Sequence, residues 1–167
     1  FPTRRSSDLM YQNKVYLASP FFSPEQKERI DIVMAALKKN PTIDPEGIYN
    51  PQEHQAEGLE FGSRDWQDTV FATDMRQVKR ADVVVAITDY KYEEGNPEPD
   101  AGTIFEVGAA WAWNIPVVMA QFHPDNELNL MLARSHTAMF TGDQIEEGLA
   151  TYDFNNLPTH WTDMKVF

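Results

Sequence analysis

Residues 81–88, ADVVVAIT, decide the architecture. The apolar run VVVAI at 83–87 is rich in β-branched residues, too short for a stable helix and without the alternation of a half-exposed strand. It therefore predicts a strand buried on both faces, and such a strand needs helices on either side of its sheet. The flanking sequence supplies helix candidates. DWQDTVFATDMRQVKR at 65–80 places Trp66, Val70, Phe71, Met75 and Val78 on an apolar side, and residues 101–113 form a second candidate. IPVVMAQ at 115–121 then repeats the buried-strand pattern.

Toward the N-terminus, KVYLAS at 14–19 predicts a strand, followed by a well-marked helix start. In SPEQ at 23–26, Ser23 caps, Pro24 suits the first helical position and Gln26 completes a capping box. Ile30, Val33, Met34 and Leu37 share a face, and Asn40 with Pro41 ends the helix. Residues 41–64 read as a long loop with at most a short strand near Ile48–Tyr49, and long loops in compact domains are disproportionately functional. The polar loop DYKYEEGNPEPD occupies 89–100. Further on come one or two turns within 127–134, a last strand TAMFT at 137–141 and a last helix within 143–153, where Asp143 and Glu146 stand in a cap arrangement.

Strands alternating with helices predict an α/β fold, a three-layer flavodoxin-like domain with a five-stranded parallel sheet. The loops after Ser19, Tyr49, Thr88 and Gln121 should gather at one edge of that sheet, where ligands of such folds bind. Residues 10–167 are read as a single domain. Residues 1–9, FPTRRSSDL, carry neither a hydrophobic signal core nor a periodic face and are expected to be a scar or disordered tail ahead of Met10.

Composition narrows the partners. A net charge of −12, with 26 acidic and 14 basic residues and no dense Lys/Arg block, argues against nucleic acid and anionic membranes as partners. The apolar runs are far shorter than the roughly 20 residues a membrane span requires. The absence of cysteine removes disulfides, thiol nucleophiles and cysteine-based metal sites, and is compatible with a reducing, cytoplasmic setting. No GxGxxG, Walker, HExxH, EF-hand or GxSxG pattern is present, so no cofactor is expected. His54, His123, His136 and His160 lack close metal-ligand spacing and read as polar loop residues. Trp66, Trp111 and Trp113 read as packing.

Three carboxylates hold the chemical interest. In DAGTIFEVG at 100–108, Glu106 falls in the second turn of the predicted helix. If it shares the face of Gly102, Ala109 and Ala110 it is buried beside small residues that leave room for a ligand; otherwise it is a partly exposed glutamate. Asp100 either caps the helix through the amides of Gly102 or Thr103, or shares a cleft with Glu106 and divides acid and nucleophile duties with it. Asp74 is either helix-surface polarity or a site residue. Residue chemistry alone supports an acidic cleft in a small-ligand domain.

The segments VYLASPFFS (15–23), NPTID (40–44), FATDM (71–75), DAGTIFEVG (100–108), NLMLA (129–133) and TYDFNNLP (151–158) resemble, in order, the nucleoside 2-deoxyribosyltransferase family. The resemblance covers most of 14–158. It implies transfer of 2-deoxyribose from a 2'-deoxynucleoside to a free purine or pyrimidine base, through a covalent glutamate intermediate and with net retention of the β configuration. By the same resemblance Glu106 is the nucleophile, Asp100 serves base recognition and proton transfer, Asp74 lies near the sugar, and Tyr16 places a hydroxyl beside the nucleophile. Gln55 matches a base-binding glutamine. Asn129 and Met131 match residues that a neighbouring subunit contributes, which implies a homodimer or a hexamer. Phe167 stands where the family has a terminal tyrosine, so any hydrogen bond of that hydroxyl is lost. Two other functions are compatible with the residues: an N-glycoside hydrolase acting on nucleosides or nucleotides, and a noncatalytic small-metabolite binder.

Overall fold

The computed structural model describes residues 11–89, 98–162 and 165–166. The expectation for the 1–9 tail, the centre of the 89–100 loop and the role of Phe167 all lie outside these residues.

The strands are β1 (Asn13–Ala18), β2 (Ile43–Tyr49), β3 (Val83–Ile87), β4 (Val117–Gln121) and β5 (Ala138–Thr141), joined by α1 (Pro24–Lys39), α2 (Arg64–Arg80), α3 (Ala101–Ala112), α4 (Leu130–Ala133) and α5 (Gln144–Thr151). All five strands are parallel, in the order β2-β1-β3-β4-β5. This is the doubly wound, flavodoxin-like arrangement expected from the alternation of elements. The order reverses between β1 and β3, and the carboxyl ends of the strands share one edge.

Successive strand residues point to opposite faces, so each strand feeds two cores. Val15, Leu17, Val83, Val85, Val118 and Ala120 join residues of α1 and α5 on one side. Tyr16, Ala18, Val84, Ala86, Val117 and Met119 join residues of α2, α3 and α4 on the other. This double burial explains the continuous apolar run at 83–87.

The start of α1 follows its sequence signal. Ser23 Oγ accepts from the Gln26 amide at 3.2 Å, and the Gln26 side chain accepts from the amides of Ser23 and Phe22 at 3.1 and 2.7 Å. At the other end Asn40 does more than stop the helix. Its Nδ2 donates to the carbonyls of Leu149 and Tyr152 at 2.7 and 2.8 Å, tying α1 to the end of α5.

Four expectations require correction. β2 spans Ile43–Tyr49 rather than a short strand near Ile48–Tyr49, despite Pro45 and Gly47. An edge strand tolerates proline, and a shift in pairing between Asn13↔Ile43 and Val15↔Ile48 absorbs the irregular segment. Asp143 makes no side-chain cap bond, because it already has helical backbone angles; Gly142, at φ 55°, turns the chain into α5 instead. Of the predicted apolar side of α2 only Val78 is buried, while Phe71 is 59% exposed and packs on Phe105 at 6.1 Å between ring centroids. Trp111 is 64% exposed rather than packed. Periodicity identifies an apolar helix face but not what covers it. Among the histidines, His136 is buried, with the edge of its ring contact on Trp161.

Candidate active site

Tyr16 is fully buried at the centre of the sheet face covered by α2 and α3. Its hydroxyl donates to Glu106 Oε1 at 2.5 Å. Glu106 occupies the second turn of α3, whose neighbouring residues Thr103, Val107 and Ala110 face inward. The glutamate is half-buried, with its carboxyl group turned onto the phenol rather than out to solvent. Burial raises its pKa to about 8; the Tyr16 hydrogen bond opposes this, and the negative charges of Asp74 and Asp100 add to it. Burial and the negative charges of Glu106 and Asp74 hold the Tyr16 phenol well above its ordinary range, so it stays a donor.

Asp74, from α2, faces the same space. Tyr49, at the end of β2, donates to Asp74 Oδ1 at 3.1 Å. Burial raises the Asp74 pKa, partly offset by the Tyr49 hydrogen bond and by His54. Nothing in the sequence pattern marks Tyr49 or His54 as site residues. Tyr49 lay within a recognised strand segment, but only the pairing of β2 with β1 reveals that it is the register partner of Tyr16.

Asp100 is the N-cap of α3. Its Oδ2 accepts from the amides of Gly102 at 2.8 Å and Thr103 at 3.1 Å. The cap reading is realised, and the negative charge of the capping carboxylate also helps raise the Glu106 pKa. A Cβ at Gly102 would lie 2.9 Å from Asp100 Oδ2, so a larger residue there would make the capping carboxylate shift.

The remaining candidates are more dispersed. Gln55 Nε2 donates to the Pro51 carbonyl at 2.7 Å, and the Gln55 carbonyl accepts from Trp66 Nε1 at 2.9 Å. Gln55 lines a cavity of about 320 Å³ with His54, Thr69, Val70 and Thr73, next to Asp74 in sequence and on the same helix. Asn129 caps α4 by accepting from the Met131 amide at 3.0 Å, and Met131 is 79% exposed. Both line an apolar cavity of about 720 Å³ with Ile104, Gly108 and Trp111. At about 100° per residue, that stripe lies on roughly the opposite side of α3 from Glu106. The fold thus gathers Tyr16, Asp74, Asp100 and Glu106 in one chain and leaves Asn129 and Met131 facing away from them.

The chemistry available is that of an enclosed carboxylate with a phenol donor and two further acids. Among the described residues no group of three or more His, Asp or Glu side chains is placed to hold a metal, and no helix is long and apolar enough to cross a membrane.

Comparison with known proteins gives the chain's family. The family model described as Nucleoside 2-deoxyribosyltransferase matches residues 15–154. A nucleoside deoxyribosyltransferase of Limosilactobacillus fermentum is 30% identical, over 98% of this chain and 99% of that protein. The solved 2-deoxyribosyltransferase of Bacillus psychrosaccharolyticus superposes with a TM-score of 0.77 at 31% identity, covering 89% of this chain and 98% of its own. A CMP N-glycosidase of Clostridium botulinum, at 19% identity and a TM-score of 0.51, shares the fold alone. Sequence and architecture agree over nearly the whole length, and the chain belongs to the nucleoside 2-deoxyribosyltransferase family.

Proposed function

We propose that this protein moves 2-deoxyribose from a 2'-deoxynucleoside to a free nucleobase by double displacement at Glu106. The observation that carries the reading is the 2.5 Å Tyr16–Glu106 hydrogen bond, with the carboxylates of Asp74 and Asp100 acting on the same glutamate. Ionised Glu106 attacks the anomeric carbon as the bond to the base breaks, and the departing base takes a proton from Asp100. Asp100 Oδ2 is engaged with the helix amides, so Oδ1 is the oxygen for this transfer. The oxocarbenium-like transition state is stabilised by the negative charge of Glu106 and Asp74. A second base then attacks the glycosyl-enzyme, returns a proton to Asp100 and frees Glu106, so two inversions restore the β configuration.

Gln55 binds the base, from the wall of its cavity beside α2. Asn129 and Met131, exposed on the far side of α3, complete the site of a neighbouring subunit, so the working form is a homodimer or a hexamer.

The deciding measurement is base exchange from deoxyinosine to adenine. Glu106→Ala and Glu106→Gln should each lower the rate by at least about a thousandfold, the scale of a lost nucleophile or oxyanion partner; an undiminished rate in either removes Glu106 from this role. Release of free 2-deoxyribose with no new nucleoside would identify a hydrolase instead. Attack needs ionised Glu106 while the departing base needs a proton on Asp100, so the productive form carries one proton between the two, and kcat/KM should fall as pH rises through about 8, where that proton is lost. Tyr16→Phe removes the bond that favours ionisation and should move that fall to higher pH.

A further inference from the structure

Glu106 and Asp74 are held in the same way. The parallel pairing of β1 with β2 sets Tyr16 opposite Tyr49, and the two rings stack with centroids 5.6 Å apart and planes 15° apart. Each phenol donates to a carboxylate from a different helix: Tyr16 to Glu106 on α3, Tyr49 to Asp74 on α2. The site therefore contains two phenol–carboxylate pairs side by side. The outer face of Tyr49 is covered by His54, stacked at 4.4 Å and 10°. His54 is fixed in turn by a 3-10 turn over Pro51–Glu53, in which Asn50 caps the Gln52 amide at 3.2 Å and the His54 amide donates to the Pro51 carbonyl at 3.1 Å.

A half-buried aspartate on a helix can rotate about its side-chain bonds unless a donor holds it. Tyr49 supplies that donor, and the stack between Tyr16 and His54 limits tilting of the Tyr49 ring. The charged and titratable groups around Asp74 are His54 and Tyr49 from the β2 end, Glu106 and Tyr16 from α3 and β1, and Arg76, which acts on Tyr49 from α2 itself.

We propose that Tyr49 is a positioning residue: through its hydrogen bond to Asp74 Oδ1 it fixes that carboxylate beside the Tyr16–Glu106 pair, with His54 clamping its ring. The proposal rests on the deoxyribosyl-transfer reading, in which Asp74 lies at the sugar. Misplacement of a reacting group by about 1 Å can cost on the order of a hundredfold in rate. Tyr49→Phe keeps the ring stack and removes only the donor.

The test is a double-mutant cycle of base exchange with Tyr49→Phe, Asp74→Ala and the pair. The expected result is a loss of about tenfold to a hundredfold in kcat for Tyr49→Phe with KM within about twofold, and no further loss when it is added to Asp74→Ala. An unchanged kcat, or a loss that multiplies onto that of Asp74→Ala, overturns the proposal, because a purely structural role would persist without the aspartate. A second readout needs no turnover. In protein with ¹³C-labelled aspartate carboxyls, Asp74, assigned by its disappearance in Asp74→Asn, should titrate at higher pH in Tyr49→Phe; an unmoved midpoint overturns the proposal. If the parent protein shows no base exchange, the transfer reading fails, while the titration still decides whether Tyr49 holds Asp74.

Discussion

The two faces of the central sheet share one backbone and differ in what they bury. On the α1/α5 face the strands present Val15, Leu17, Val83, Val85 and Ile87, and the helices answer with Ile30, Val33, Leu37, Ile145 and Leu149. On the α2/α3 face the alternate positions present Tyr16 and, from the edge strand, Tyr49, and the helices answer with Glu106 and Asp74. The first face closes by hydrophobic burial. The second retains two half-buried carboxylates at an energetic cost, and exposes Phe71 and Phe105 beyond them. The contrast assigns stability chiefly to one face and chemistry to the other.

That division can be broken most strongly at Glu106. Its pKa rises from 4.5 to about 8 in the folded protein, so between those values the folded chain holds a proton that the unfolded chain has released. Stability attached to this group is intact below about pH 4.5 and declines as pH rises through about 8. Glu106→Gln removes the titration. It should leave stability nearly unchanged at pH 4 and raise it at pH 9, with a ceiling of roughly 5 kcal/mol. Denaturant unfolding at the two pH values checks this, and a variant no more stable than the parent at pH 9 contradicts the burial of a strained acid. Together with its loss of transfer, that result would separate stability from function in one substitution.

The opposite experiment belongs to the other face. Leu37, fully buried against the sheet, should cost about 3 kcal/mol when replaced by alanine. Base exchange per folded molecule should stay within about twofold, because the cavity opens across the sheet from the carboxylates. A kcat loss comparable to the stability loss would show that the two faces are coupled. The smallest expected effect tests a purely local device on the same face: Ser23→Ala removes one half of the α1 capping box and should cost about 1 kcal/mol with unaltered kinetics. Thermal melts of the two variants, compared at one pH, rank these costs.

Much of this organisation is legible in the primary structure. The run at 83–87 requires two covering layers, SPEQ at 23–26 marks the entry to α1, and Asp100 stands where a cap belongs. Each of these signals acts over a few residues. The burial of Glu106 is not legible there, because a helix position one residue out of register turns it to solvent. Nor is the length of β2, since Pro45 and Gly47 weaken a strand everywhere except at an edge, and edge status depends on strand order.

Periodicity and capping are short-range properties of the chain, and they suffice for the alternation of strands and helices, the two-sided burial of the sheet and the caps at Ser23 and Asp100. Only the tertiary structure decided which groups meet. Tyr16 and Glu106 are joined across 90 residues and Tyr49 and Asp74 across 25, by strand register and helix rotation. The same long-range geometry turned Asn129 and Met131 away from the carboxylates of their own chain, since side-chain neighbours across layers are set by packing rather than by spacing along the chain.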